Sequence, residues 1–191
     1  MTTRKERERA DRHQRIIDAA RELAESQGWE AVTVRKLAER IEYSQPVLYS
    51  HFTGKAAIVA AVAVEGIIDL TTALRAAEET AATPAEALES VTRAYLDFAA
   101  ANPARYDAMF LLSTDLVFGL DAPQPLRDAF AVFEGLFRPF VDDADLGARA
   151  EVAWSSIHGL ATLERAGRLR PELREQRLAL LVAEWLAAVR V

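Results

Sequence analysis

The sequence of 191 residues contains no cysteine and only three histidines, at positions 13, 51 and 158. The absence of cysteine excludes disulfides, thiolate metal sites and cysteine nucleophiles. With so few histidines, and no second ligand at metal-site spacing from His158, we expect no metal and no other cofactor. No apolar run approaches the length of a membrane span, and the charged N-terminus does not resemble a signal peptide. These absences favour a soluble, cytoplasmic protein.

Catalytic patterns are missing as well. The sequence shows no nucleophile with a positioned base, no paired carboxylates in a pocket-like context and no glycine loop for phosphate. We therefore do not expect an enzyme.

The net charge of −6 is unevenly distributed along the chain. Residues 1–55 contain 11 Lys and Arg against 9 Asp and Glu, whereas residues 56–191 contain 12 against 20. Because phosphate binding depends on local charge, the N-terminal segment is compatible with DNA despite the negative total. Residues 1–15 have six basic and three acidic side chains. They are either the solvated start of a helix or a basic arm along the DNA backbone.

Apolar residues recur at helical spacing almost throughout, and no stretch alternates with period two. The fold class is therefore predicted to be all-α, with about nine helices. Capping residues and glycines place the first helix at about Asp11–Gln27, the fourth at Lys55 to about Ala77, the eighth at about Asp145–Ala166 and the ninth at about Pro171–Val189.

Local signals refine these predictions. We expect Thr33 and Ser44 to cap two short helices, and Thr83-Pro84-Ala85-Glu86 to start a helix with a capping box. Asn102-Pro103 should start another, and Pro139 should kink or end the helix that precedes it.

The two short helices and the tight turn between them indicate a helix-turn-helix. Residues 1–55 are predicted to form this three-helix DNA-binding domain, and residues 56–191 a C-terminal helical domain for ligand sensing and dimerisation. The polar stretch Ala77–Thr83 is the expected joint.

In a helix-turn-helix, the second short helix enters the major groove, where side chains near its N-terminus reach base edges. Ser44, Gln45, Val47 and Ser50 suit that surface. Gln45 is the strongest candidate for a base contact because its amide can pair with adenine, and Val47 could meet a thymine methyl. The pattern alone also fits a solvated amphipathic helix in an ordinary bundle.

A more specific pattern covers about 50 residues of this segment. It comprises Ile16, Ala20, Gly28-Trp29, Thr33-Val34, Leu37-Ala38, Ser44, Leu48-Tyr49, His51-Phe52 and Lys55. The pattern resembles the DNA-binding domain of TetR-type (tetracycline-repressor-like) transcriptional regulators. The resemblance implies that Leu48 and Phe52 are core residues. It also implies that five residues touch or approach DNA phosphates: Thr33, Arg35, Tyr49, His51 and Lys55.

One position departs from this resemblance. TetR-type regulators usually have glycine in the turn where this chain has Glu42. Glycine suits a left-handed backbone there, so we expect Glu42 to bear a conformational cost of about 1 kcal/mol.

The C-terminal part carries a shorter resemblance. Trp154, His158 and Gly159 match the Trp-x-x-x-His-Gly stretch of one branch of TetR-type C-terminal domains. His158 is either a packing histidine with a hydrogen bond or a residue that faces a ligand or a second subunit.

Aromatic side chains recur at helical spacing in the second half. They are either plain core or the lining of a pocket between helices for a small apolar or aromatic effector. The candidates are Tyr95, Phe98, Tyr106, Met109, Phe110, Phe130, Phe133, Phe137 and His158.

The last two helices are apolar on more than one side, which predicts that each has two packing partners. One partner would be the chain's own core and the other a second copy, as in a homodimer. The interface candidates are Ala153, Trp154, Ile157, Leu160, Leu178, Leu181, Trp185 and Val189.

These patterns together predict a ligand-responsive repressor that binds a palindromic operator in duplex DNA as a homodimer. The alternative is a DNA-binding regulator that senses no small molecule and is controlled by its abundance or by a protein partner.

The base-contact prediction can be tested with Gln45→Ala. Losing the amide should relax the preference at one position of each half-site, with a mismatch effect of roughly 1–3 kcal/mol. Selection of binding sites from random duplexes measures this preference. Identical motifs for the variant and the wild type would contradict it.

Overall fold

All the regular secondary structure of the described residues is helical. The computed structural model describes residues 3–117, 119 and 121–188, and this part of the chain contains nine α-helices and two short 3-10 helices. The α-helices are α1 (Arg4–Gln27), α2 (Val34–Arg40), α3 (Gln45–Tyr49), α4 (Lys55–Glu79), α5 (Pro84–Ala101), α6 (Pro103–Phe110), α7 (Gln124–Phe137), α8 (Asp143–Arg165) and α9 (Arg174–Ala188). The predicted all-α fold class is confirmed.

The chain divides into two compact units. Unit 1 comprises Met1–Gly66 and Asn102–Phe118, and unit 2 comprises Ile67–Ala101 and Gly119–Val191. The chain therefore passes from unit 1 to unit 2 within α4. The joint predicted at Ala77–Thr83 is wrong, because this stretch lies inside unit 2 and only four residues separate α4 from α5.

Hydrogen bonds explain why α6 belongs to unit 1. The carboxylate of Glu25 accepts from the backbone N–H groups of Ala104 (3.2 Å) and Arg105 (3.3 Å) at the start of α6. The indole of Trp29 donates to the carbonyl of Ala104 at 2.8 Å. The two bonds to Glu25 satisfy N–H groups at a helix start that have no partner within the helix.

The first helix begins seven residues earlier than predicted, at Arg4 rather than Asp11. A capping box explains the difference, since Thr3 Oγ1 accepts from Glu6 N–H (3.3 Å) and Thr3 N–H donates to the Glu6 carboxylate (2.7 Å). The basic N-terminal segment from Arg4 onward is therefore helical.

The other predicted caps differ in their outcome. The Thr33 hydroxyl accepts from Lys36 N–H (3.2 Å), as predicted. Ser44 occupies the position before α3, but its side chain makes no capping bond. At α5, Thr83 accepts from Glu86 N–H, whereas the Glu86 carboxylate accepts from Ala82 N–H instead of Thr83 N–H. Pro139 follows the end of α7 by two residues, so the helix ends there as predicted.

The helix α4 is long and apolar, and it approaches α6 closely. It is the one helix in the described ranges long and apolar enough, by length and composition, to cross a membrane. Half of its apolar window is buried, and the core helix of a soluble protein passes the same test. In unit 1 its Gly66 lies so close to α6 that an added Cβ would be 2.7 Å from the Met109 sulfur.

The turn between α2 and α3 has a left-handed residue at Glu42, with φ of 57°. The backbone N–H of Tyr43 donates to the Ala38 carbonyl (2.9 Å), as in a Schellman ending. Glu42 is the one non-glycine residue with positive φ in the described part of the chain. The left-handed backbone expected at Glu42 is therefore confirmed.

Replacing Glu42 by Gly should raise the free energy of unfolding by about 0.5–1 kcal/mol, because relief of the left-handed strain exceeds the added entropy of the unfolded chain. Urea unfolding measures the change. Glu42→Gln is the charge control and should give no such gain. Glu39→Gly, inside α2, should cost about 1 kcal/mol. A loss at Glu42→Gly equal to that at Glu39→Gly would contradict the assignment.

Candidate nucleic-acid interface

The helix α3 is amphipathic despite its length of five residues. Leu48 is only 1% exposed and Phe52, just beyond the helix, is buried. Gln45 at the start of the helix, Tyr49 and Ser50 are exposed, and Tyr49 has 55% of its surface accessible. The two core positions implied by the resemblance are therefore buried.

The side chains expected to read bases are not equally available. Ser44 and Gln45 are exposed, and Gln45 makes no hydrogen bond within the described residues. Val47 is half-buried. The Ser50 hydroxyl donates its hydrogen to the Val47 carbonyl at 2.6 Å, so its oxygen remains only as an acceptor. Gln45 thus presents the free amide of this surface.

At the start of α2, Thr33 and Arg35 are both exposed. The Arg35 guanidinium lies 2.9 Å from the Glu39 carboxylate, with 78% and 63% of the two side chains accessible. An ion pair this exposed contributes little stability. The Arg35 guanidinium can therefore leave the Glu39 carboxylate and bind a DNA phosphate with little loss of stability.

Lys55, the first residue of α4, is half-buried, and its ammonium group donates to the Trp29 carbonyl at 2.5 Å. The Trp29 indole in turn donates to Ala104, as described above. Lys55 is thus tethered at a defined position, and two of its three N–H donors remain for another acceptor. The sequence pattern gave no indication of this tether.

His51 lies beside a second histidine. The His13 ring stacks on Phe52 with centroids 4.3 Å apart, and the His13 and His51 centroids are 5.9 Å apart. Burial lowers the pKa of His51, and the positive charges of His13, Arg9 and Arg12 lower it further. These effects favour the neutral form of His51, which can donate one N–H.

The predicted pocket residues fall into different units. Tyr106, Met109 and Phe110 belong to α6 in unit 1, where the Tyr106 and Phe110 rings meet edge to face at 4.9 Å. The remaining candidates belong to unit 2: Tyr95, Phe98, Phe130, Phe133, Phe137 and His158. A single set across both was predicted because helical spacing does not reveal which helices pack together.

Unit 2 contains a polar group of three side chains among its aromatic residues. The Tyr95 hydroxyl lies 3.3 Å from His158 Nδ1 and accepts from the Trp154 indole at 3.3 Å. Tyr95 is fully buried, and its ring meets Phe133 at 6.2 Å. Burial, followed by the charge of Arg165, lowers the pKa of His158 and favours its neutral form. This is the hydrogen-bonded histidine that the sequence allowed.

The predicted dimer residues are placed mainly inward. Ala153, Ile157, Leu178 and Trp185 are buried within the chain, so they are core residues rather than a surface open to a partner. Trp154, Leu160 and Leu181 are half-buried, and Val189 lies outside the described residues. The exposed large apolar side chains of these two helices are Val152, Leu163 and Leu180. Helical periodicity alone did not distinguish the two faces.

A short helix with exposed polar residues that packs against the preceding short helix, after a four-residue turn, is the arrangement of a helix-turn-helix DNA-binding unit. Residues 16–62 match the family described as bacterial regulatory proteins, tetR family. Residues 88–185, more than half of the chain, match the tetracyclin repressor-like C-terminal domain. The chain therefore belongs to the TetR family of bacterial regulatory proteins.

Individual relatives agree with this assignment. The chain is 36% identical over 96 residues to the HTH-type transcriptional regulator YobS of Bacillus subtilis, a match that covers half of each chain. It is 46% identical over 50 residues to the tetracycline repressor protein class D of Escherichia coli, covering 26% of this chain and 23% of that one. The chain thus spans at most half the length of these two relatives.

A solved structure shares the fold over nearly the whole chain. The crystal structure of a tetR-family regulatory protein from Rhodococcus RHA1 matches with a TM-score of 0.61 and 21% identity. The match covers 90% of this chain and 95% of that one.

Proposed function

We propose that this regulator is a homodimeric repressor that binds a palindromic operator and releases it when a small effector binds unit 2. The observation that carries the DNA-binding part is the exposed surface of α3, where Gln45 has no partner and Tyr49 projects into solvent. The similarity of the N-terminal segment to the tetracycline repressor supports repression. A promoter–reporter assay with and without the gene tests the direction of control.

Each residue of the interface has a proposed role. Gln45, with Ser44, Val47 and Ser50, reads base edges in the major groove. Five others bind phosphates and hold the helix in register: Thr33, Arg35, Tyr49, His51 and Lys55. The hydroxyl of Tyr49 and the tethered ammonium of Lys55 are rigid donors, which lose little entropy when they bind.

Dimerisation follows from the size of α3. Five residues contact too few base pairs for a specific site, whereas a two-fold dimer reads two half-sites at a fixed separation. The exposed face of α8 supports this role. Val152, Ser156, Gly159 and Leu163 lie on one stripe opposite the buried face, and a Cβ added at Gly159 would meet nothing within 4 Å. We propose this stripe, rather than the buried residues, as the dimer contact.

The dimer proposal predicts that Val152→Glu with Leu163→Glu gives a monomer, because charges would be desolvated in an apolar contact. Sedimentation at micromolar concentration should show a dimer for the wild type. Ala144→Glu, which adds the same charge in the first turn of α8, should remain dimeric. A wild-type monomer, or a dimeric double variant, would contradict the proposed stripe.

The effector is proposed to bind at the cluster of Tyr95, Trp154 and His158. Aromatic walls with a few polar groups suit a small apolar or aromatic molecule that has one hydrogen-bonding group. An effector changes DNA affinity only by favouring one arrangement of the two α3 helices over another. The helix α4 is the proposed lever, because it begins with Lys55 in unit 1 and ends in unit 2.

The sensing proposal can be tested with a panel of uncharged aromatic phenols and the dye N-phenyl-1-naphthylamine. A panel member that binds should lower operator affinity by about 5–150-fold, on the order of 1–3 kcal/mol. Tyr95→Phe and Phe133→Trp should keep operator binding and alter this response. Leu111→Ala, an exposed change in unit 1, is the control.

The alternative function is a DNA-binding regulator without a small-molecule effector. Well-packed aromatic residues would then serve only as core. Equal operator affinity in the presence and absence of every compound, with no dye binding to unit 2, would favour this alternative over sensing.

A further inference from the structure

The N-terminal half of α1 continues the face by which its C-terminal half is buried. Ile16, Ala20 and Leu23 form that buried face, and they are spaced four and three residues apart. The same spacing extended toward the N-terminus reaches Arg12, Arg9 and Lys5. The helix therefore projects beyond the core with a stripe of three cations on the face that points toward the rest of unit 1.

The carboxylates near the stripe have other partners. Glu8 lies beside the stripe, three residues after Lys5 and four before Arg12, but its carboxylate pairs with Arg4 (2.8 Å). The Glu6 carboxylate is bonded to Thr3 N–H at the helix start. Lys5, Arg9 and Arg12 form no ion pair within the described residues. The stripe thus carries three positive charges with which the neighbouring carboxylates do not pair.

The stripe adjoins the DNA-reading surface. Arg9 and Arg12 lie close enough to His51 for their charges to act on that ring, and His13, next to Arg12, stacks on Phe52. His51 follows α3 by only two residues and precedes Lys55 by four. Cations on α1 therefore continue the surface formed by α3 and the start of α4.

We propose that Lys5, Arg9 and Arg12 form a second phosphate-binding surface that contacts the DNA backbone outside the base pairs read by α3. This proposal rests on the proposed operator binding and deepens it. From Arg12 to Lys5 the helix rises about 10 Å, a length of about three base-pair steps. The stripe would add affinity without adding base preference, because arginine and lysine contact phosphates irrespective of sequence.

The test compares two duplexes that carry the operator selected by the wild type from a random library. One ends at the selected half-sites, and the other extends five or so base pairs beyond each end. Arg9→Gln with Arg12→Gln should weaken binding to the long duplex by about 10-fold or more at low salt and leave the short duplex nearly unchanged. The salt dependence on the long duplex should flatten by about two phosphate contacts per subunit.

Two variants control for charge and fold. Arg4→Gln with Arg7→Gln removes two cations that lie outside the stripe and should have little effect on either duplex. Arg9→Lys with Arg12→Lys retains the charge and should restore the wild-type salt dependence. Circular dichroism and thermal unfolding confirm that each variant keeps its helices.

The outcomes separate this proposal from the one on which it rests. If the wild type prefers its operator but both glutamine pairs lose affinity equally, or neither does, the stripe is not a phosphate-binding surface and the proposed function stands. If the wild type shows no preference for the selected duplex over a scrambled one, both proposals fail.

Discussion

The burial of Leu48 and Phe52 is the constraint on which the DNA-binding surface depends. A helix of five residues has no stability of its own in water, so α3 exists only because these side chains pack into unit 1. Every exposed atom of α3 is positioned by that packing. Trp29 fixes two further helix starts. Its backbone carbonyl accepts from the Lys55 ammonium group, and its indole donates to the Ala104 carbonyl at the start of α6. One aromatic residue thus connects the start of α4 to the start of α6.

Positive and negative side chains are unevenly distributed along this chain. The chain is negative overall, yet its N-terminal helix presents Lys5, Arg9 and Arg12 on one face, and the nearby Glu8 carboxylate pairs with Arg4. A polyanion such as DNA interacts with the nearest surface, because the field of distant charges is screened within about 10 Å at moderate salt. The acidic excess after residue 55 therefore does not oppose DNA binding.

Sequence patterns predicted the structural features that depend on residues close to one another along the chain. The helices, the cap at Thr33 and the left-handed turn at Glu42 follow from local spacing and backbone preferences, and the structure has them. Contacts between distant segments were not predictable in this way. The bond from Lys55 to Trp29, the Glu25 carboxylate at the start of α6, and the division of the aromatic residues between two units all depend on which helices pack together. The same holds for α8, where periodicity identified two apolar faces but not which of them is buried.

The account depends most directly on α3 and the start of α4 being the surface that meets DNA. Binding of Lys55→Ala and Tyr49→Phe to the selected operator, followed over a series of salt concentrations, tests this claim. Both variants should lose affinity for all sequences, keep the wild-type preference and unfold near the wild-type temperature. The salt slope of Lys55→Ala should fall by about 0.9 per subunit, the value of one lost phosphate contact. Wild-type affinity and slope in both variants would contradict the assignment of this surface.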